Sequence, residues 1–285
     1  MSRYLAPDNL AEAVAIRAQG ARIVAGGTDL MISLRQARLE GQPQPELILD
    51  VTRIPELNRL ELGAERPFLG AAVTFRRLKT DPEVARVYPL LAKAASMVGS
   101  VQVRQTGTIG GNAANSSPAA DGVSAITALG AVALLASPRG QRELPLSELI
   151  TAPNKNLLAA NELIMGFWLD RLPDGAGQAF SKVGRRQAVA IARLNVAAAI
   201  APELREVRLS VGACFPSPRR LTLVEELVMA GQPGPELWRQ AGRAAATNFT
   251  DVCGWRSSAA YKVEAIARVT ARTLATAWAK AGGAA

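Results

Sequence analysis

The 285-residue sequence contains no histidine and only two cysteines, Cys214 and Cys253. Without histidine a Ser-His-Asp triad is excluded and a zinc site is disfavoured. Two cysteines cannot ligate a [2Fe–2S] cluster, whose irons usually take four protein ligands. Both are expected to be reduced, buried thiols rather than a disulfide. Hydrolytic chemistry is thus poorly supplied, whereas cofactor chemistry, in which the protein mainly positions and tunes, asks less of side chains. Aromatic residues are scarce, at 5%. They are not interleaved with the scattered arginines (Arg17, Arg35, Arg53, Arg76, Arg77, Arg142, Arg219, Arg220, Arg268), so the net charge of +9 does not form the usual nucleic-acid footprint. A basic nucleic-acid-binding or scaffold protein stays as a rival reading, but the same charge suits an anionic dinucleotide or an acidic partner. No apolar run approaches the roughly 20 residues that span a bilayer. The opening Met-Ser-Arg-Tyr-Leu-Ala-Pro-Asp lacks the apolar core of a secretion signal, so a cytoplasmic protein without a membrane span is expected.

What is present is a globular composition, 49% apolar and 20% charged, long enough for two domains or one large one with subdivisions. Two glycine-rich stretches stand out. One is Val24-Ala25-Gly26-Gly27-Thr28-Asp29-Leu30. The other runs from Thr106 through Gly107, Thr108, Ile109, Gly110, Gly111 and Asn112 to Asp121. Glycine lets backbone approach a ligand closely, and successive N–H groups can cradle an anion. Neither stretch fits G-x-G-x-x-G or carries the lysine of G-x-x-x-x-G-K-[ST], so Rossmann and P-loop readings fail on their own motifs. Either stretch alone reads as a tight turn. Together they suggest two grips on one elongated, phosphate-bearing ligand.

In chain order, Asp8 caps a helix ended by Gly20, and residues 22–25 form a short strand leading into the first Gly-Gly turn. Thr28 or Asp29 caps a second helix, and residues 47–51 form another strand. This is a small βαβ-like unit whose glycine turn opens a helix, where backbone donors and the helix dipole favour phosphate. Strands at 58–63 and 68–73 follow. Asp81-Pro82 opens one helix running to about Val98. The second glycine stretch reads as a loop, and a helix follows from about Pro118 to Leu129. A hairpin at 131–144 and a strand at 162–169 complete this part. Asp174-Gly175-Ala176-Gly177 marks a boundary. Beyond it lie strands at 178–184, 193–200 and 205–213, then helices at 223–229, 236–247 and 257 to about 279. The last helix reads as amphipathic packing.

The two stretches also carry a resemblance. Ala25 to Leu30, Thr108-Ile109-Gly110-Gly111-Asn112 and Ser117-Pro118-Ala119-Ala120-Asp121 resemble the FAD-binding medium subunit of the molybdenum hydroxylases, the xanthine dehydrogenase and carbon monoxide dehydrogenase family. Phe180 to Arg186, Ile191-Ala192, Asn195-Val196-Ala197, Gly212-Ala213 with Pro216 and Pro218, and Tyr261-Lys262 extend it over nearly the whole chain. The resemblance implies an α+β fold: a two-part FAD-binding domain of the vanillyl-alcohol-oxidase type at 1–174 (lobes about 1–56 and 57–174), then a C-terminal α+β domain at 175–285 with a small antiparallel sheet and helices. It implies FAD as cofactor, held by a subunit that takes electrons from a small subunit with two [2Fe–2S] clusters. A large molybdopterin subunit oxidises the substrate, and NAD or another acceptor receives the electrons, in a complex expected as a dimer of heterotrimers. A stand-alone FAD oxidase or reductase of the same superfamily is the alternative.

On this resemblance the pyrophosphate lies between N–H groups of Gly26, Gly27, Thr28 and Asp29 on one side and Gly110 and Gly111 on the other, flanked by Ala25, Leu30, Thr108 and Asn115. Asn112, Ser117 and Asp121 serve the ribityl and adenosine parts, although Asp121 equally reads as a helix cap. Lys182 stands where the family places a lysine near the flavin pyrimidine, and taken alone it is an ordinary strand lysine. Ile109 and Ile164, with Ile191 less firmly, would clamp the ring, and each also reads as core. Gln187-Ala188-Val189-Ala190 stands where many members carry acidic residues, a departure that bears on how a nicotinamide is received.

Overall fold

The computed structural model describes residues 2–186, 189–202, 205–255 and 258–283. The N-terminal lobe is a three-stranded parallel sheet, order β1-β3-β2, of β1 (Arg3–Leu5), β2 (Arg22–Val24) and β3 (Leu47–Asp50). Helix α1 (Leu10–Ala18) joins the first two strands and α2 (Leu30–Leu39) the next two, giving the expected βαβ-like unit. Asn9, not Asp8, caps α1, its side-chain oxygen accepting the Glu12 N–H at 2.9 Å. Asp29 takes the capping position of α2 without a side-chain cap bond.

The next sheet is antiparallel, order β4-β5-β10-β6-β7. Its strands are β4 (Leu60–Glu61), β5 (Phe68–Gly70), β6 (Val132–Ser137) and β7 (Gly140–Pro145); a ribbon of β8 (Ile150–Ala152) and β9 (Lys155–Asn156) precedes β10 (Leu163–Trp168). Helix α3 (Phe75–Thr80) follows β5, unforeseen in the sequence. One expected helix is two, α4 (Pro82–Val87) and α5 (Pro89–Ser96). Pro89 has no N–H to continue the ladder and starts a new helix instead. Asp81 caps α4 as expected, accepting from the Glu83 and Val84 N–H groups.

The stretch read as a loop carries two helices, α6 (Val101–Thr106) and α7 (Ile109–Asn115), and α8 (Asp121–Ala128) falls within the helix expected from about Pro118 to Leu129. Ser100 caps α6 and Thr108 caps α7. The glycines of α7 do not break it because tertiary contact overrides propensity. A β-carbon at Gly110 would stand 2.5 Å from that of Ala71 and 2.7 Å from the Ala71 carbonyl oxygen. Helix α9 (Leu146–Leu149) follows β7.

Beyond residue 176 an antiparallel sheet β11-β12-β13-β14 is formed by β11 (Gly177–Val183), β12 (Leu194–Ile200), β13 (Val207–Gly212) and β14 (Arg219–Arg220). It is covered by α10 (Thr222–Ala230), α11 (Pro235–Cys253) and α12 (Ala259–Lys280). The expected start of the last helix at Ser257 lies outside the described residues. Buried side chains form two clusters, and Phe180, Ala197 and Ala199 of the C-terminal sheet belong to the first, so the cores abut. The Gln178 amide donating to the Val87 carbonyl at 2.9 Å fastens the same seam. None of the described helices is long and apolar enough to cross a membrane.

Candidate functional site

The two glycine stretches meet. A β-carbon at Gly26 would stand 2.5 Å from the Thr106 carbonyl carbon and 2.7 Å from the Gly107 Cα, both backbone atoms. Only glycine allows so close an approach. Gly27 has φ +68°, the left-handed value that turns the chain from β2 into α2. Among the described residues, no acceptor takes the backbone N–H groups of Gly26, Gly27, Thr28 or Asp29. These four donors sit at the N-terminal end of a ten-residue helix, where the dipole adds positive potential. Ala25, Gly26, Gly27, Thr28 and Leu30 are half-buried and Asp29 is exposed. The Asn115 amide donates to the Asp29 carboxylate at 3.1 Å and ties the two stretches together.

On the other side the N–H groups are spent. Gly110 donates to the Ala71 carbonyl at 2.9 Å, Gly111 to the Thr108 hydroxyl at 3.1 Å, and Asn112 to the Thr108 carbonyl at 3.0 Å. The N–H groups of Gly110 and Gly111, expected as donors to an anion, are therefore engaged within the chain. Gly111 is exposed, and a β-carbon there would meet only the Thr108 Oγ1, at 3.0 Å. The Asn112 amide oxygen is buried beside Gly122 with no hydrogen-bond partner among the described residues. Ser117 is half-buried and accepts from the Ala119 N–H at 3.3 Å. Ile109 and Ile164 are buried, at 0% and 7% exposure, and belong to the apolar core. Ile191 is 83% exposed. The sequence departure at Gln187 and Ala188 lies outside the described residues.

Asp121 and Lys182 depart from expectation together. Asp121 lies in the first turn of α8, but its side chain makes no cap bond; Ala120 holds the capping position. Its carboxylate accepts from the Lys182 ammonium at 2.5 Å and from the Asn195 amide at 2.9 Å, with 5% of the side chain exposed. Lys182 also donates to the Met97 carbonyl at 2.9 Å. Burial pushes the Asp121 carboxyl above the usual carboxylate range, and the neighbouring ammonium and amide pull it back. The helix-cap reading of Asp121 and the solvated-strand reading of Lys182 give way to a buried ion pair, formed because each charge is too costly to bury alone.

Lys182 nevertheless lines a cleft of about 700 Å³, with Ser96, Met97, Gly99, Ser100, Val101, Arg104, Val183 and Gly184. That volume falls in the range of small-molecule sites. Arg185 and Arg186 stand at its edge and also line a neighbouring hollow of about 460 Å³ with Arg193, so the opening is basic. The segment from Met97 to Asn115 runs from this cleft to the free donors at Gly26–Asp29. Sequence reasoning missed the Ser96–Arg104 lining and the role of Asn195 beside Asp121. A signal for the latter existed: an asparagine in the otherwise apolar strand Leu-Asn-Val-Ala-Ala-Ala-Ile.

Residues 1–169 match the family described as FAD binding domain in molybdopterin dehydrogenase, and residues 178–277 match the CO dehydrogenase flavoprotein C-terminal domain. The nicotinate dehydrogenase FAD-subunit of Eubacterium barkeri is 36% identical over 66% of this chain and 64% of its own. The nicotine 6-hydroxylase medium subunit of Paenarthrobacter nicotinovorans is 27% identical over 98% of each chain. Among solved structures, carbon monoxide dehydrogenase from Hydrogenophaga pseudoflava superposes with a TM-score of 0.88 at 27% identity, covering 98% of both chains.

Proposed function

Because the chain belongs to the family of FAD-binding domains in molybdopterin dehydrogenases, we propose that it is the electron-transfer subunit of a molybdenum hydroxylase complex. It is an oxidoreductase subunit and its cofactor is FAD. The observation that carries the placement is the row of four unengaged N–H groups at Gly26–Asp29, backed onto Thr106–Gly107 by a contact only glycine permits. The residues present fit the group on three counts. The donor row suits a pyrophosphate, exposed Gly111 leaves room beside it, and the cleft at Lys182 has the size and cationic lining for a flavin ring.

When bound, FAD accepts electrons one at a time and gives them up in pairs. The chain's own residues bind and tune. Gly26 to Asp29 hold the phosphates, with Asn115 fixing Asp29. Lys182 would hold positive charge near the pyrimidine end, where it would favour the reduced anionic form. Met97 and Val101, which line the cleft, would give the ring apolar contact. The electron source is a small subunit with two [2Fe–2S] clusters, beside a large molybdopterin subunit, in a dimer of heterotrimers. The acceptor is NAD or another small oxidant reached through the basic opening. Residues 1–174 and 175–285 are proposed as the two domains.

Partner dependence is supported by uncovered apolar surface. Helix α2 buries none of its residues and exposes Met31, Ile32 and Leu39 at 58%, 71% and 74%. Soluble monomers seldom leave such patches bare. Purification of the tagged chain from its native cells tests this reading. A yellow complex with one large and one small iron–sulfur chain is expected. A yellow, active chain without companions would favour the stand-alone oxidase instead.

A further inference from the structure

Lys182, Asn195 and Gly212 are lateral neighbours across three strands: Lys182 pairs with Asn195 between β11 and β12, and Asn195 with Gly212 between β12 and β13. Helix α8 lies across this row and contributes Asp121 and Ser124. A hydrogen-bonded chain results. The Ser124 hydroxyl donates to the Asn195 amide oxygen at 2.7 Å, the Asn195 amide N–H donates to Asp121 at 2.9 Å, and the other Asp121 oxygen receives Lys182. Ser124 and Asn195 are both 0% exposed. A β-carbon at Gly212 would collide with the Ser124 hydroxyl and the Asn195 amide oxygen. The bare glycine leaves room for the chain to form.

Neither Ser124 nor Asn195 lines the cleft, whereas Lys182 does. An ammonium has three donors. Asp121 and the Met97 carbonyl take two, leaving one for a group in the cleft. We infer that Asn195 and Ser124 are positioning residues that fix the Asp121 carboxylate and so set how much of the Lys182 charge reaches the flavin. The inference rests on the reading that Lys182 faces the ring. Asn195 is the second donor that stabilises Asp121 as an anion. Without it, burial drives the carboxyl towards its neutral form. Lys182 is then less compensated, reduced flavin is favoured, and the midpoint potential rises.

The test is the flavin midpoint potential of the full chain loaded with FAD, measured for wild type, Lys182→Met, Asn195→Leu and the double variant. Ser124→Ala serves if Asn195→Leu fails to fold. Lys182→Met with Asp121→Asn serves as the background if the lone carboxyl prevents folding. The expected pattern is a fall for Lys182→Met, a rise for Asn195→Leu, and a double variant equal to Lys182→Met alone. A merely structural role would leave the Asn195→Leu effect intact in both backgrounds. An unchanged potential in Lys182→Met sinks the underlying placement of the lysine. With that placement intact, no shift in Asn195→Leu, a downward shift, or a shift that survives in the double variant overturns the inference.

Discussion

Gly111→Val separates folding from ligand binding. Gly111 is exposed and its β-carbon would meet only the Thr108 Oγ1, at 3.0 Å. Valine gains a few tenths of a kcal/mol of helix propensity over glycine. Straining the Thr108 cap costs on the order of 1 kcal/mol. The net effect on stability stays within about 1 kcal/mol, a Tm change of roughly 2–4 °C for a protein of this size. A phosphate lying against the Gly111 backbone would instead meet two methyl groups, an overpacking cost of about 1–3 kcal/mol. That corresponds to an FAD Kd weakened roughly 5- to 150-fold. Quenching of FAD fluorescence on titration reads the Kd, and thermal unfolding of the same sample without FAD reads the fold. Gly26→Ala is the contrast. Its methyl would strike the Thr106–Gly107 backbone, so both Tm and Kd should suffer. A Gly111→Val chain that binds FAD like wild type would show that the ligand does not pass over α7.

Lys182→Met should lower the flavin potential. A tenfold loss of preference for the reduced form equals about 30 mV for a two-electron couple, and spectroscopic redox titration would detect it. Cys214 is buried, and burial raises its thiol to about 11. It should resist iodoacetamide at pH 8 until the chain is denatured; rapid labelling of the native protein would place it at the surface. The sign of its linkage follows: the fold accommodates the neutral thiol, so that stability is complete below the free-thiol range and drains away as pH rises towards about 11. Glu162 runs the opposite way. Arg142 and the Ala159 N–H hold its carboxyl below the usual range, so its contribution is present above about pH 4.5 and lost as pH falls. Glu162→Gln should flatten that acid limb of the unfolding profile, and an unchanged limb would remove the pair from the account.

Much of this architecture was legible because its signals are local. The Gly-Gly turn between strand-like Arg22–Val24 and a helical pattern gave the βαβ-like unit, and alternating apolar runs gave the strands of the C-terminal sheet. The central stretch was misread because its helicity is not local. Gly110 in α7 is held by the Ala71 backbone some forty residues away, a contact that propensity does not report. Asp121 was legible as important but not in its role. A carboxylate that opens a helix looks like a cap, and only the fold shows Lys182 and Asn195 arriving from a sheet more than sixty residues later. Asn195 was visible within the Asn195-Val196-Ala197 block and as a polar interruption in an apolar strand, but not in its partnership with Asp121. The uncovered face of α2 carries no sequence signal distinct from an ordinary amphipathic helix.

The central claim is that this chain holds FAD between Gly26–Asp29 and the Lys182 cleft. The most direct test is the absorption spectrum of the purified chain before and after incubation with FAD and desalting, alongside Gly111→Val. One flavin per chain is expected in the wild type, with the ~370 and ~450 nm bands of oxidised flavin, and markedly less in the variant. A colourless wild-type chain that stays colourless after incubation, and again when co-purified with the proposed iron–sulfur and molybdopterin partners, would contradict the account.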